Sequence, residues 1–271
     1  MIENLRRFAE ELCGFSLANV SDMIIISMSI IAVLLIIVSI YALIVSIYLA
    51  IKYHKYNRKE NSINMSGKDI ARKILDDNDL QNIKVKSSGS ILFGNSYSHY
   101  FKKVRLRRLT WKKNTISSLA MASQKSCLAI LDKENDKDMK TRIKLTPLIY
   151  CGPLLFIPLI IIGAVLDILV LNSNTGTMTI IFSLIGLLFY LLSFIMSLKI
   201  LKTEKKAQEK AYELLKKNNM ATDEELAMLK DLFKLYNIEY VNNMIISLLE
   251  LIYRVLQVIA YIQNSNSITT D

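Results

Sequence analysis

The sequence predicts a mostly α-helical, polytopic integral membrane protein with three or four transmembrane helices, cytoplasmic helical regions and one small extended segment. Three observations carry that prediction. Apolar residues are gathered into long, almost uncharged runs. Each run is near the ~20 residues that cross the hydrocarbon layer of a bilayer as a helix. The 34 Lys and Arg and 24 Asp and Glu, a formal balance of +10, lie mainly between the runs rather than within them.

Residues 1–22 form a polar N-terminal segment, with two Arg against four acids. Met23–Ile51 is the first span. It is too long, and lacks the small-residue cleavage site, to be a removable signal peptide, so it reads as a retained anchor. Residues 52–146 form a basic region; within it Tyr53–Thr146 holds 21 Lys/Arg against 9 Asp/Glu. Ser66 is an N-cap, and apolar residues at 70, 71, 74 and 75 give the period of a short amphipathic helix. Ile83-Lys84-Val85-Lys86 alternates as a strand does. Gly89 to Tyr100 reads as a Ser/Gly/Asn-containing loop. The run Lys102–Lys113 that follows alternates cations with Val, Leu and Trp, a pattern suited to anionic headgroups; nucleic acid is not an expected partner. Thr115–Leu131 is an Ala/Ser-rich helix.

Residues 147–171 and 178–201 are the second and third spans, joined by the uncharged outer turn 172–177. Residues 202–237 are helical. Thr203–Lys217 continues the third span, Asn218-Asn219 breaks it, and Thr222-Asp223-Glu224-Glu225 caps the next helix. In 238–262 the polar residues Asn243, Ser247, Glu250, Arg254 and Gln257 fall on one stripe of an otherwise apolar helix. As a fourth span that helix would turn the stripe towards its neighbours, with Glu250 and Arg254 paired. As an interfacial helix it would expose the stripe to water. A tail, 263–271, ends the chain. The excess of Lys and Arg in residues 52–146 and 202–237 places both regions in the cytoplasm. Four spans then put both termini outside. Asp167, with Pro147, Pro153 and Pro158, marks either a kinked, lined cavity or an acid at the membrane interface.

Cys13, Cys127 and Cys151 are too dispersed on this topology to pair readily. His54 and His99 are isolated, and no thiol or imidazole cluster has metal-ligand spacing.

The order of these pieces resembles the bacterial membrane-embedded neutral zinc metallopeptidases. Their active-site helix reads roughly S-(I/V)-A-A-I-G-V-A-A-H-E-V-G-H-A-I-Q, and Thr115–Leu131 reads TISSLAMASQKSCLAIL. Ser66-Gly67-Lys68-Asp69-Ile70-Ala71-Arg72-Lys73-Ile74-Leu75 matches T-G-x-x-V-A-R-x-I-L. Gly89, Val104-Arg105-Leu106 at the family's V-x-L strand, the stretch from Leu201 to Ala211, and Glu239-Tyr240-Val241 follow in the family's order, while the D-H-Y-D-P loop has no counterpart. The resemblance covers about residues 66–256 and implies a zinc peptidase of the bacterial cytoplasmic membrane. Gln124 then falls on the first His, Lys125 on the Glu, Leu128 on the second His and Glu204 on the third ligand.

The chemistry of those four positions opposes the implied activity. In H-E-x-x-H two imidazoles four residues apart bind zinc and the Glu takes a proton from the metal-bound water. An amide, a cation and an alkyl group cannot reproduce that set, and one carboxylate cannot hold zinc alone. The reading is a catalytically inactive homologue with no catalytic residue, metal ligand or cofactor, whose vestigial positions are Gln124, Lys125, Leu128 and Glu204. It would act as a membrane binding, scaffold or regulatory subunit, against a membrane-protein partner or an active paralogue. An active peptidase with non-standard zinc ligands and a transporter or channel accessory subunit are the alternatives. If the fold brings Thr115–Leu131 beside the start of Thr203–Lys217, Lys125 can pair with Glu204 where a metal would sit.

Overall fold

A computed structural model describes residues 1–88, 94–145, 151–169 and 176–268. Gly89, Pro147, most of the outer turn 172–177, both ends of the second apolar run and the last three residues of the tail lie outside the described residues. The chain divides into two compact units, one of Met1–Ala42, Leu145–Ser197 and Asn242–Asp271, the other of Leu43–Lys144 and Leu198–Val241. Three long helices each contribute a stretch to both: α2 (Asp22–Tyr56), α8 (Thr177–Lys217) and α9 (Asp223–Ile268). All three are long and apolar enough to cross a membrane. The apolar run predicted as the second span gives α7 (Cys151–Leu169), a shorter apolar helix over its described residues.

In the first unit α1 (Ile2–Cys13) stops at Gly14, whose left-handed φ of 75° lets its N–H return to the Glu10 carbonyl. Ala9, Leu17, Val20, Ile25, Met28 and Ala260 bury a small apolar cluster beside it. Arg6 reaches across to the Leu17 carbonyl and to Asp22, 2.9 Å away. α7 and α8 approach closely because Gly163 has no side chain: a Cβ there would lie 2.7 Å from the Thr179 Cα.

Asp167 explains itself at the same place. Its carboxylate accepts hydrogen bonds from the Met178 and Thr179 amides, at 2.9 and 2.8 Å, and from the Thr179 hydroxyl at 2.7 Å. The first amides of a helix have no partner within it. Asp167 therefore caps α8 from the neighbouring helix, which replaces the cavity-lining reading of this acid.

The polar stripe of α9 is met largely by protein. Glu250 accepts from the Tyr190 hydroxyl, Arg254 donates to Gln257 at 2.8 Å and lies over the Phe156 ring, and Gln257 faces the Cys13 sulfur. The Glu250–Arg254 pair expected from the sequence does not form, since each side chain finds a partner elsewhere. Asn243 alone of the five is exposed.

The second unit is built around α5 (Ile116–Lys133). Thr115 caps it, its hydroxyl accepting from the Ser118 amide at 3.4 Å. Fifteen consecutive-to-near-consecutive positions from Ile116 to Leu131 are buried, Lys125 being the exception. Ala120, Ala122, Ala129 and the buried serines keep the helix thin enough to be covered on every side. The serines stay satisfied locally, as with Ser123 donating to the Leu119 carbonyl at 2.7 Å.

Against α5 pack α3 (Gly67–Asp76), α4 (Arg108–Lys112) and a three-stranded sheet. As the sequence predicts, Ser66 caps α3, and Ile70, Ala71, Ile74 and Leu75 are its buried face. Gly67 sits so near α4 that a Cβ would fall 2.1 Å from the Thr110 carbonyl oxygen. The sheet has the order β1-β3-β2, with β1 (Lys84–Ser88) parallel and β2 (Ser96–Ser98) antiparallel to β3 (Lys103–Arg107).

β2 falls within the stretch read as loop, and β3 with α4 occupies the basic run Lys102–Lys113. Val104 and Leu106 are fully buried in the core of this unit. The alternation at Lys103–Arg107 is therefore that of a strand covering a core, with Val104 and Leu106 buried, while Leu109 beyond it is exposed. Towards the C-terminus Asn219, at a φ of 49°, ends α8. Thr222 and Glu225 then form a reciprocal capping box on α9, with contacts of 3.3 and 2.7 Å.

Candidate functional site

The site lies in the second unit and is assembled from α5, α6 (Lys137–Leu145) and the start of the polar part of α8. Glu204 stands three residues beyond the apolar stretch that ends at Leu201. Helical periodicity places it on the face of Ala207, Gln208 and Ala211, all buried, so its carboxylate is directed inward rather than to water.

Lys125 Nζ is 2.8 Å from Glu204 Oε2. Gln124 Nε2 donates to the same oxygen at 2.8 Å. The other oxygen, Oε1, is 2.7 Å from Arg142 Nη2. One carboxylate is thus held by two cations and an amide. The side chains of Lys125, Glu204 and Arg142 keep 12, 14 and 16 % of their surface exposed, and Gln124 keeps 4 %. At that depth charges are weakly screened, and unpaired ones would be costly.

Burial alone would raise the Glu204 carboxyl above the usual carboxylate range. The charges of Lys125 and Arg142, and their hydrogen bonds, outweigh it and hold the group down at about 2. It is ionised throughout the neutral range. Leu128, one turn along α5 from Gln124, is fully buried in the hydrophobic core.

A second layer of ion pairs fixes α6 against α8. Lys206 lies 2.8 Å from Asp136 and 2.6 Å from Asp138, Lys202 is 3.1 Å from Asp138, and Lys210 is 2.5 Å from Glu134. Asp136 also accepts from the Asp138 and Met139 amides, both at 2.9 Å, and so caps α6. These contacts set the pitch of α6 that brings Arg142, rather than a neighbouring lysine, to Glu204.

The four positions named from the sequence are accordingly separated by the fold into three that converge, Gln124, Lys125 and Glu204, and one, Leu128, that joins the apolar core. Arg142 was not legible as a site residue. The available hint is that it is the one Arg among Lys137, Lys140 and Lys144, and Arg suits a buried carboxylate better than Lys does. His99 is not isolated either: with Tyr97 it meets Asp132, each at 2.6 Å.

The donor set does not fit a zinc ion. Zinc requires imidazole, thiolate or carboxylate donors around one point. Here the neighbours of the one carboxylate are an ammonium, a guanidinium and an amide. Among the described residues no group of three or more His, Cys, Asp and Glu is placed to hold a metal.

A family model described as "Putative neutral zinc metallopeptidase" matches residues 30–259. No curated protein and no solved structure matches the chain.

Proposed function

The chain belongs to the neutral zinc metallopeptidase family, and from that premise we propose that it is a catalytically inactive, membrane-embedded member acting as a binding, scaffold or regulatory subunit. The observation that carries the proposal is the Glu204 cluster. Lys125 and Arg142 supply the positive charge that a metal would supply to that carboxylate, and they do so from the protein's own side chains. The fold around the site then keeps its charge balance without zinc.

Three features support the rest of the reading. A cation at Lys125 cannot accept a proton from water as the family's Glu does. Leu128 has no lone pair. The three long apolar helices support a multi-pass membrane location, with the Lys/Arg-rich stretches on the cytoplasmic side. The bound partner would be a membrane protein, or an active peptidase of the same family.

The test is direct. The full chain, purified in detergent, should contain far less than one zinc per chain by elemental mass spectrometry and should leave casein uncut. One zinc per chain, with casein cleavage abolished by Glu204→Gln, would overturn the proposal in favour of a peptidase with unusual ligands. Crosslinking in native membranes followed by mass spectrometry should recover the chain joined to a membrane protein; recovery of the chain alone would sink the subunit role.

A further inference from the structure

We propose that the cytoplasmic end of α2 carries a binding site for the phosphate headgroup of an anionic phospholipid, formed by Lys55 and Arg58 beside the Lys59–Glu224 pair. The proposal rests on the reading of α2 as a membrane span.

Ile44, Ile47 and Ile51 are all exposed on α2 and follow one another at steps of three and four, so they form one apolar stripe. The next residue on that stripe is Lys55. The Asn57 amide bonds to the Tyr53 carbonyl and the Arg58 amide to the Lys55 carbonyl, at 2.8 and 3.2 Å, so the helical turn continues far enough to bring Arg58 to the same side. A surface suited to acyl chains thus runs directly into one suited to an anion.

Depth agrees with this assignment. Lys55 lies four residues past Ile51, about 6 Å at 1.5 Å per residue. The headgroup layer on each side of a bilayer is roughly 5–8 Å thick, taking a hydrocarbon core of about 30 Å in a total of about 40–45 Å. Lys55 is therefore at phosphate level when Ile51 is at the hydrocarbon edge, and Arg58, about 10 Å past Ile51, lies at the outer edge of that layer.

A cavity of about 540 Å³ opens there, lined by Lys55, Tyr56, Arg58, Lys59, Glu224 and Met228. Its wall is fixed: the Tyr56 hydroxyl donates to Asp231 at 2.7 Å, and Lys52 lies 3.1 Å from the same carboxylate. Lys59 is paired with Glu224 at 2.5 Å. Neither the Lys55 ammonium nor the Arg58 guanidinium has a side-chain partner among the described residues. Two uncompensated cations at headgroup level, one a planar fork suited to phosphate oxygens, match an anionic lipid. Met228 and the Tyr56 ring give the glycerol region an apolar contact.

Native mass spectrometry of the full chain in detergent, with added dioleoyl phosphatidylglycerol, dioleoyl phosphatidylcholine or glycerol phosphate, tests it. Phosphatidylglycerol should occupy the chain at least threefold more than phosphatidylcholine at equal concentration, and glycerol phosphate should not displace it. Lys55→Gln with Arg58→Gln should abolish that preference, while Lys55→Arg with Arg58→Lys should keep it. Lys137→Gln with Lys140→Gln should also keep it. An unchanged preference in the charge-removed variant, or equal binding of glycerol phosphate and the lipid, would overturn the headgroup site. Release of the chain from native membranes by alkaline carbonate would instead overturn the span on which it rests; retention with no lipid preference would overturn the site alone.

Discussion

Glu204 is shared between two cations, and the three charges cannot be removed on equal terms. Glu204→Ala leaves Lys125 and Arg142 facing each other with little water between them, and breaking a buried ion cluster this way costs about 3–5 kcal/mol. Lys125→Ala leaves Arg142 and Gln124 on the carboxylate and should cost less, about 1–3 kcal/mol. Denaturant unfolding of the detergent-solubilised chain checks the order, and equal losses would contradict the shared arrangement. The pH dependence follows from the same group. Its carboxyl titrates at about 2 in the folded chain against 4.5 for the free side chain. The stabilisation, of the order of 3 kcal/mol, is therefore complete above about pH 4.5 and lost as pH falls towards 2. Glu204→Gln should flatten that stretch of the stability profile. Cys127 offers a simpler check: burial pushes its thiol up to about 12, so a maleimide should label it only after unfolding.

At the scale of elements, two contacts leave no room for a side chain or a substitute. Gly67→Ala would press a methyl group into the Thr110 carbonyl and should destabilise the chain by about 1–3 kcal/mol, as overpacking does. Asp167→Ala removes three bonds from the start of α8 and should cost about 0.5–2 kcal/mol, the range of a lost cap; thermal unfolding of each variant reads both. These elements also show what a sequence can and cannot declare. The caps at Ser66 and Thr222 are local chemistry, and both form as their residues predict. β3 forms where the family's V-x-L strand falls, on Val104-Arg105-Leu106, but the local pattern left its setting open, because alternating cation and apolar residues describe equally a strand over a core and a stripe on a membrane; only the position of α5 decides that Val104 and Leu106 point inward. β2 is three residues long and owes its existence to pairing with β3, a partner no local pattern announces. Arg142 was hidden for the same reason, its role being created by the ion pairs that orient α6. Glu204 and Lys125 were legible because the family frame gave them a common address.

For the whole molecule, three of the four apolar runs, 23–51, 178–201 and 238–262, lie on helices long and apolar enough to cross a membrane, and the chain's behaviour in membranes should follow from where its cations lie. Alkaline phosphatase fused after Asn219 should be inactive in a bacterial host, because the proposed orientation puts the Lys-rich end of α8 in the cytoplasm. An active fusion there would reverse the orientation. Both compact units contain parts distant in sequence, the first drawing on both ends of the chain and its middle. A polypeptide truncated before Asn242 therefore lacks the α9 partners of α1 and Phe156, including Arg254 and Ala260. It should accumulate less and be degraded faster than the full chain in a pulse-chase experiment.

The ion cluster also acts as a ratchet on the chain's further history. A path from this sequence to an H-E-x-x-H helix in that register must change Gln124, Lys125 and Leu128, and the order of steps matters. Lys125→Glu taken first sets two carboxylates side by side with Arg142 as their one counter-charge. Leu128→His taken first puts an imidazole into a packed apolar core. Each single step lowers stability before any ligand set exists to recover it, so selection on folding alone would hold this lineage in its present chemistry.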